Sequence, residues 1–275
     1  MNYQDREFFK KLPLISEYST DIRTALSLPG GRDYKSTIIA GPCAIESFDM
    51  LYSIASFLSK LGIKILRGGS FKHRTLPYSF SGLGQEGLLI HQTVAQEFGM
   101  LSVSEILHSE DIELFKKYID IIQVGARNMR NYPLLHEIAG IGKPIILKRD
   151  MSATLFEWLA SAEHLLKFGS EKVILCERGV RWCDNQFRNL LDLSSVAWIK
   201  QYTDIPILVD PSHALGRSDL ISSLSKAAVA CGSDGLMIEV HLDPPSALCD
   251  SQQALCFSAF QDITVQCQRV FEGIN

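Results

Sequence analysis

The chain has 275 residues, 46% of them hydrophobic and 21% charged, with a formal net charge of −4. That is the composition of an ordinary globular domain. It contains no apolar run long enough for a membrane span and no basic tail or stripe, which excludes nucleic acid as an expected partner. The seven cysteines (43, 176, 183, 231, 249, 256, 267) are scattered and odd in number, with no Cys-x-x-Cys pair. They argue against a disulfide framework. With an N-terminus that lacks an apolar signal-peptide core, they predict a cytoplasmic protein.

In chain order, residues 1–36 come first, with a short helix expected over 3–11 and a turn-rich LPGGRD at 28–33. This extension is expected to cap the N-terminal face of the domain or to contact another copy. Eight apolar runs follow, at 37–43, 64–71, 100–106, 121–127, 144–150, 173–179, 206–213 and 235–241, their starts 21 to 36 residues apart. Their β-branched and leucine-rich composition suits strands buried on both faces, as in a parallel sheet. Helix-length amphipathic stretches separate them. Ser47 is placed to cap a helix through Lys60, Ser152 and Ser218 to cap two later ones, and a final helix is expected over 252–272. Alternation of this kind predicts one α/β domain, a (β/α)8 TIM barrel over 37–275 with a short N-terminal extension. The loops at 72–87 and 180–189 are long enough to be functional, the second as a lid.

Each run carries a chemically capable residue towards its C-terminal end: Cys43, Arg67, Glu105, Arg127, Lys148, Arg178, His213 and Glu239. In a barrel those ends converge on one mouth, where active sites are built. Barrel closure brings Cys43, His213 and Glu239 together, and Asp250 lies on a loop that can fold back over them. One thiolate, one imidazole and two carboxylates suit Mn²⁺, Fe²⁺, Co²⁺ or Zn²⁺ better than Ca²⁺ or Mg²⁺. His241 and Asp243 are competing donors, and each residue taken singly also has a purely structural reading. Arg67, Lys72, Arg74, Arg127, Lys148 and Arg178 form a cationic ring. Glu105, Glu177 and Asp150 could neutralise part of it internally; the excess points to a ligand carrying phosphate and carboxylate. Gly68-Gly69 and Gly125-Ala126 leave backbone N–H groups open to the same anions. There is no Walker loop and no Gly-x-Gly-x-x-Gly after a strand, so nucleotides are not favoured.

The segments IIAGPCAIES (38–47), LRGGSFKHRTLPYSFSGLG (66–84), QVGARNMRN (123–131), ILKRD (146–150), ILCERGVR (174–181), VDPSHALGR (209–217) and MIEVHLDPPSALCD (237–250) closely resemble one family. It is the type I 3-deoxy-D-arabino-heptulosonate 7-phosphate (DAHP) synthases of the β subgroup, related to the 3-deoxy-octulosonate 8-phosphate synthases. The resemblance implies a (β/α)8 barrel that condenses phosphoenolpyruvate with erythrose 4-phosphate and releases phosphate, the first step of the shikimate pathway to aromatic amino acids. It also implies a divalent metal, Mn²⁺ foremost, held by Cys43, His213, Glu239 and Asp250. On the same ground Arg127, Lys148 and Arg178 hold phosphoenolpyruvate, with Arg67, Lys72 and Ala126 beside them. Arg74 and Thr75 grip the aldose phosphate, and Glu105 helps position phosphoenolpyruvate and a water. Lys72 is the expected proton donor to the aldehyde oxygen, and Cys43 and His213 are expected to act in the chemistry as metal ligands.

One departure stands out. The family's KPRT reads KHRT here, so His73 replaces a proline that stiffens the loop. The octulosonate synthases carry a longer KANRTS-like segment and lack GARNMRN, which makes arabinose 5-phosphate the less expected acceptor. A non-catalytic barrel would need a lost ligand or clamp residue, and none is missing. The resemblance further implies a catalytic core without a regulatory domain, insensitive to aromatic amino acids, assembled as a homotetramer or homodimer.

Overall fold

The structure is a computed structural model that describes residues 7–28, 33–74 and 76–274. Eight strands form the barrel: β1 (Ile39–Gly41), β2 (Ile65–Arg67), β3 (Leu101–Ile106), β4 (Ile121–Val124), β5 (Ile145–Lys148), β6 (Val173–Glu177), β7 (Ile207–Val209) and β8 (Gly235–Glu239). They pair in parallel in sequence order, and β1 closes against β8 with Ile39 opposite Met237 and Gly41 opposite Glu239. The fold is the expected (β/α)8 barrel.

Alternation along each strand sorts the apolar side chains into two layers. Ile39, Ile65, Val103, Ile121, Ile146, Ile174, Leu208 and Met237 form an inner cluster. Ala40, Leu66, Ile122, Leu147, Leu175, Val209 and Ile238 face outward, in the cluster shared with the helices. The hydrogen-bonded strands are shorter than the apolar runs. Cys43, Arg127, Arg178 and His213 therefore lie just beyond the ladder, on the turns it feeds.

The helical jacket consists of α1 (Phe48–Lys60), α2 (Gln85–Glu97), α3 (Ile112–Tyr118), α4 (Tyr132–Ala139), α5 (Leu155–Lys167), α6 (Leu193–Tyr202), α7 (Ile221–Ala230) and α8 (Phe257–Ile274). Ser47 caps α1 as expected, accepting from the Met50 N–H. Two other expected caps are wrong. Thr154 caps α5 in a reciprocal box with Glu157, while Ser152 bonds Asp150 instead. Asp150 competes for Ser152 locally, and Thr154 is the residue with a glutamate three places on. Ser218 opens a separate 3-10 turn, Ser218–Leu220, and α7 starts without a side-chain cap. The last helix starts five residues later than expected, because Leu255 first pairs with the chain leaving β8. Its N–H donates to the Glu239 carbonyl and its own carbonyl accepts from the His241 N–H.

In the extension, the helix expected over 3–11 begins outside the described residues, as does most of LPGGRD. A helical turn, Pro13–Glu17, lies against α5, where the Leu14 and Ile15 N–H groups donate to Glu163. A second turn, Ile22–Ala25, is capped by Asp21. Ile22, Ala25 and Leu26 join the inner apolar cluster at the N-terminal end of the strands.

Candidate active site

Four donors meet at the C-terminal mouth. Glu239 ends β8 and is fully buried. Cys43 follows β1 by two residues; its carbonyl accepts from the Gly69 N–H. The turn needs Gly41, with φ +147°: a Cβ there would lie 2.1 Å from the Arg67 carbonyl oxygen. His213 lies in the helical turn Pro211–Leu215, whose N-cap is Asp210. One Asp210 oxygen accepts from the His213 N–H at 2.9 Å and the other lies 2.7 Å from Nδ1. That contact orients the imidazole so that Nε2 faces Glu239 Oε1 at 3.1 Å. Asp250 adopts a left-handed backbone, φ 51°, and Cys43 Sγ lies 3.2 Å from its Oδ2. One ligand atom from each of Cys43, His213, Glu239 and Asp250 lies within 4.8 Å of the others. Four donors this close could hold a metal ion.

Glu239 supplies the test of fit. Its Oε2 accepts from Gln253 Nε2 at 2.6 Å. Its Oε1 is buried between His213 Nε2 at 3.1 Å and Arg67 Nη2 at 3.2 Å, with neither aligned for a hydrogen bond. A buried carboxylate oxygen left this way is costly and suits a cation. Asp210 behind His213 is the outer carboxylate commonly found at metal-bound histidines. The residues fit a divalent metal.

The field around these donors is strong. Burial works against ionising Glu239, yet His213 and Arg67 hold its carboxyl well below the usual range. Burial likewise opposes a charged His213, but Asp210 and Glu239 raise it to about 9. The Cys43 thiol is pushed up by the neighbouring Cys249, by burial and by Glu239. Burial would depress the Lys72 ammonium; Cys43, Glu105 and Cys249 outweigh it and raise it.

The cations stand around a cavity of about 280 Å³ lined by Lys72, Arg74, Glu105, Arg127, Lys148 and Arg178, among others. Arg67, Lys148 and Arg178 are buried. Lys148 Nζ pairs with Asp210 at 2.6 Å and Lys72 Nζ donates to the Cys43 carbonyl at 3.2 Å. Arg178 Nη2 donates to the His213 carbonyl at 3.1 Å, and Arg127 Nη1 to the His73 carbonyl at 3.4 Å. Arg74 reaches Cys249 Sγ at 2.7 Å. Ala126 lines the cavity beside Gly125, where a Cβ would lie 1.9 Å from Glu105 Oε1. Gly125 therefore makes room for that carboxylate. Thr75 lies outside the described residues.

Two of the three carboxylates expected to neutralise the ring are engaged elsewhere. Glu177 pairs with Arg149 and accepts from the Gly179 N–H, and Asp150 pairs with Arg130. The competing donors His241 and Asp243 bond each other, Nδ1 lying 2.8 Å from the Asp243 carbonyl oxygen. Sequence reading missed four residues at this mouth: Asp210, Gln253, Cys249 and Arg188. Arg188 lines the cavity and reaches Gln253 Oε1 at 3.4 Å. Asp210 was legible in principle, since an aspartate before Pro at N1 of a helical turn is a cap.

Fold and mouth together define the class, a (β/α)8-barrel enzyme with a cation-lined active-site cavity. The chain belongs to the DAHP synthetase I family, whose sequence pattern matches residues 19–274. It is 46% identical over 239 residues to a phospho-2-dehydro-3-deoxyheptonate aldolase of Thermotoga maritima, covering 87% of this chain and 71% of that protein. The crystal structure of a Thermotoga maritima DAHP synthase superposes with a TM-score of 0.85 at 45% identity, over 86% of this chain and 70% of that one. A truncated form of the Thermotoga synthase gives 0.81 at 42% identity, over 86% and 87%. More distant is a 2-dehydro-3-deoxyphosphooctonate aldolase of Acidithiobacillus ferrooxidans, 30% identical over 85% of this chain and 88% of that protein. Among the described residues no helix is long and apolar enough to cross a membrane.

Proposed function

We propose that the protein is a metal-dependent DAHP synthase, joining phosphoenolpyruvate and erythrose 4-phosphate with water to give DAHP and phosphate. The observation that carries this reading is the adjacency of a four-donor cluster and a cationic cavity at one barrel mouth. Family membership and the resemblance to the Thermotoga enzyme support it.

Arg127, Lys148 and Arg178 bind the phosphate and carboxylate of phosphoenolpyruvate, with Arg67 and Lys72 beside them. Arg74 and Thr75 take the aldose phosphate. Cys43, His213, Glu239 and Asp250 hold a divalent ion, Mn²⁺ foremost. When bound, that ion would supply Lewis acidity to polarise the aldehyde carbonyl. Carbon 3 of the enol attacks that carbonyl, and Lys72 gives a proton to the oxygen that becomes hydroxyl. Positive charge develops at carbon 2 of the former enol; the water that Glu105 orients adds there through its oxygen and gives up a proton to solvent. The hemiketal phosphate then expels phosphate towards the arginines. Lys72 suits its part: its Nζ sits beside the cluster, and the negative groups around it keep it protonated.

The test is a substrate-pair assay on metal-stripped protein. With Mn²⁺ restored, the ultraviolet absorbance of phosphoenolpyruvate is followed with erythrose 4-phosphate or with arabinose 5-phosphate. Turnover with erythrose 4-phosphate alone, and only with metal, is the expected result. Preference for arabinose 5-phosphate would move the protein to octulosonate synthesis, and no turnover with either would overturn the assignment.

A further inference from the structure

Arg188 belongs to two cavities. It lines the active-site cavity and, together with Asp250, the wall of a second, outer cavity of about 660 Å³. Gln186, Arg217, Ser251 and Gln252 line the outer one only, and Asp250 is its one carboxylate among the described residues. The backbone of Arg188 is fixed. Its N–H donates to the Leu215 carbonyl at 2.9 Å and the Asn189 N–H to that of Ala214 at 2.8 Å, while Val180 and Leu190 bridge across the base of the loop. The side-chain stem lies along Gly216, where an added Cβ would be 3.0 Å from the Arg188 Cβ and 3.3 Å from its Cδ. The guanidinium is held only loosely. Nη1 is 3.4 Å from Gln253 Oε1 and 3.9 Å from Asp250 Oδ1, and the side chain is 43% exposed. Arg217 is the opposite. Asp219 fixes it through Nε at 2.7 Å and Nη2 at 2.6 Å, and Nη1 remains, 3.3 Å from the Gln186 carbonyl oxygen. One cavity therefore ends on a movable arginine, and the next continues to a fixed one.

We propose that the outer cavity is a second anion site, for inorganic phosphate, and that Arg188 carries the phosphate released in the active site across to it. The carrying role rests on the synthase reading above; the outer site does not. Phosphate expelled from the hemiketal is left among Arg127, Lys148 and Arg178, where several charge-assisted hydrogen bonds oppose its departure. Arg188 shares that cavity and has no close carboxylate. Its guanidinium can take two oxygens of the anion at once. Exposed side chains change rotamer within nanoseconds, so turning the guanidinium outward costs little time. On the outer side the anion meets Arg217 Nη1, the amides of Gln186 and Gln252 and the Ser251 hydroxyl. Each contact is replaced as the last is given up, and no covalent bond changes in the transfer.

The experiment is equilibrium dialysis of the full chain against radiolabelled inorganic phosphate, alone and with saturating phosphoenolpyruvate. Rapid-quench turnover and inhibition by phosphate are measured alongside. Phosphate is expected at an inner and an outer position, with phosphoenolpyruvate displacing the inner one only. Arg188→Ala and Arg217→Ala should each weaken the phosphate that remains by about tenfold or more. Arg188→Lys, which keeps the charge, should weaken it less than Arg188→Ala. Inhibition by phosphate should persist at saturating phosphoenolpyruvate in the unsubstituted protein and fade in Arg217→Ala. With its carrier gone, Arg188→Ala should show a burst of product in the first turnover, since phosphate release then limits the cycle. Complete displacement of phosphate by phosphoenolpyruvate, with purely competitive inhibition, would overturn the outer site. So would outer binding that survives in both alanine variants. A linear first turnover in Arg188→Ala would overturn the carrying role. Outer binding in a protein that turns over neither aldose supports the anion site and overturns the synthase reading instead.

Discussion

At the N-terminal end of the barrel, Ile39, Ile65, Val103, Ile146 and Met237 pack on Ile22, Ala25 and Leu26, with every one of these side chains nine-tenths buried or more. Two residues further along their strands, Arg67, Lys148 and Glu239 are buried just as fully. The first end lowers the free energy of the fold, at about 1.5–3 kcal/mol for each large apolar side chain. The second end raises it, because desolvating ion pairs such as Lys148–Asp210 costs about as much as their attraction returns, or more. A barrel can hold a costly mouth because its other layers are apolar and buried. Damage at the two ends should therefore be read by different instruments, activity at one and melting at the other.

Cys43→Ala should separate the ends most clearly. Activity falls by more than about a thousandfold with loss of a metal donor, while the melting temperature moves by no more than a few degrees. Comparable losses of activity and stability would break the comparison. Leu26→Ala is the counterpart, costing about 3 kcal/mol in denaturant unfolding through the cavity it leaves. Its kcat/KM should stay within about twofold of the unsubstituted protein. Gln253→Leu sharpens the account of the mouth. Freeing Glu239 Oε2 should weaken metal affinity about ten- to a hundredfold by calorimetric titration, with little change in melting of the metal-free protein.

Between the ends, in the jacket, lies His91 on α2, whose Nε2 is 3.0 Å from the Leu66 carbonyl oxygen. Burial drives its imidazole down to about 4, against about 6.5 in the unfolded chain. The unfolded state thus takes up the proton first as pH falls. The stability that neutral His91 contributes is complete above about pH 6.5 and shrinks on acidification towards pH 4. Unfolding at pH 7.5 and at pH 5 should differ by about 2 kcal/mol more than in a His91→Gln variant; equal differences would refute it. The smallest effect is expected at His73. Arg127 uses its carbonyl, which proline also offers, so His73→Pro should change kcat/KM for either substrate by less than about threefold.

The barrel was legible because strands buried on both faces leave unbroken apolar runs, and eight of them at regular spacing admit few other folds. The donor cluster was legible because barrel closure brings the ends of β8 and β1 together, whatever the details of the loops. What escaped lies in local competition. Ser152 resembles a cap until Asp150 engages it, and Leu255 resembles the start of a helix until it pairs beside β8. Gln253 and Cys249 carry no periodic signal, and their closeness to Glu239 and Cys43 depends on how one loop folds back. Asp210 was hidden by its own usefulness, since a cap and the partner of a histidine read alike in sequence.

The pairing of Leu255 with the chain leaving β8 has one more consequence. Val240 and Leu255 are joined side by side, so the residues between them form a clasped ring. Asp250 hangs from this ring near its junction, where the Gln253 N–H donates to its carbonyl. The entropy of bringing a distant carboxylate to Cys43 and Glu239 is thus spent when the chain folds, and little is left to spend when a cation arrives. Insertions at the outer arc of the ring, around 243–246, would lengthen the loop while leaving the clasp shut.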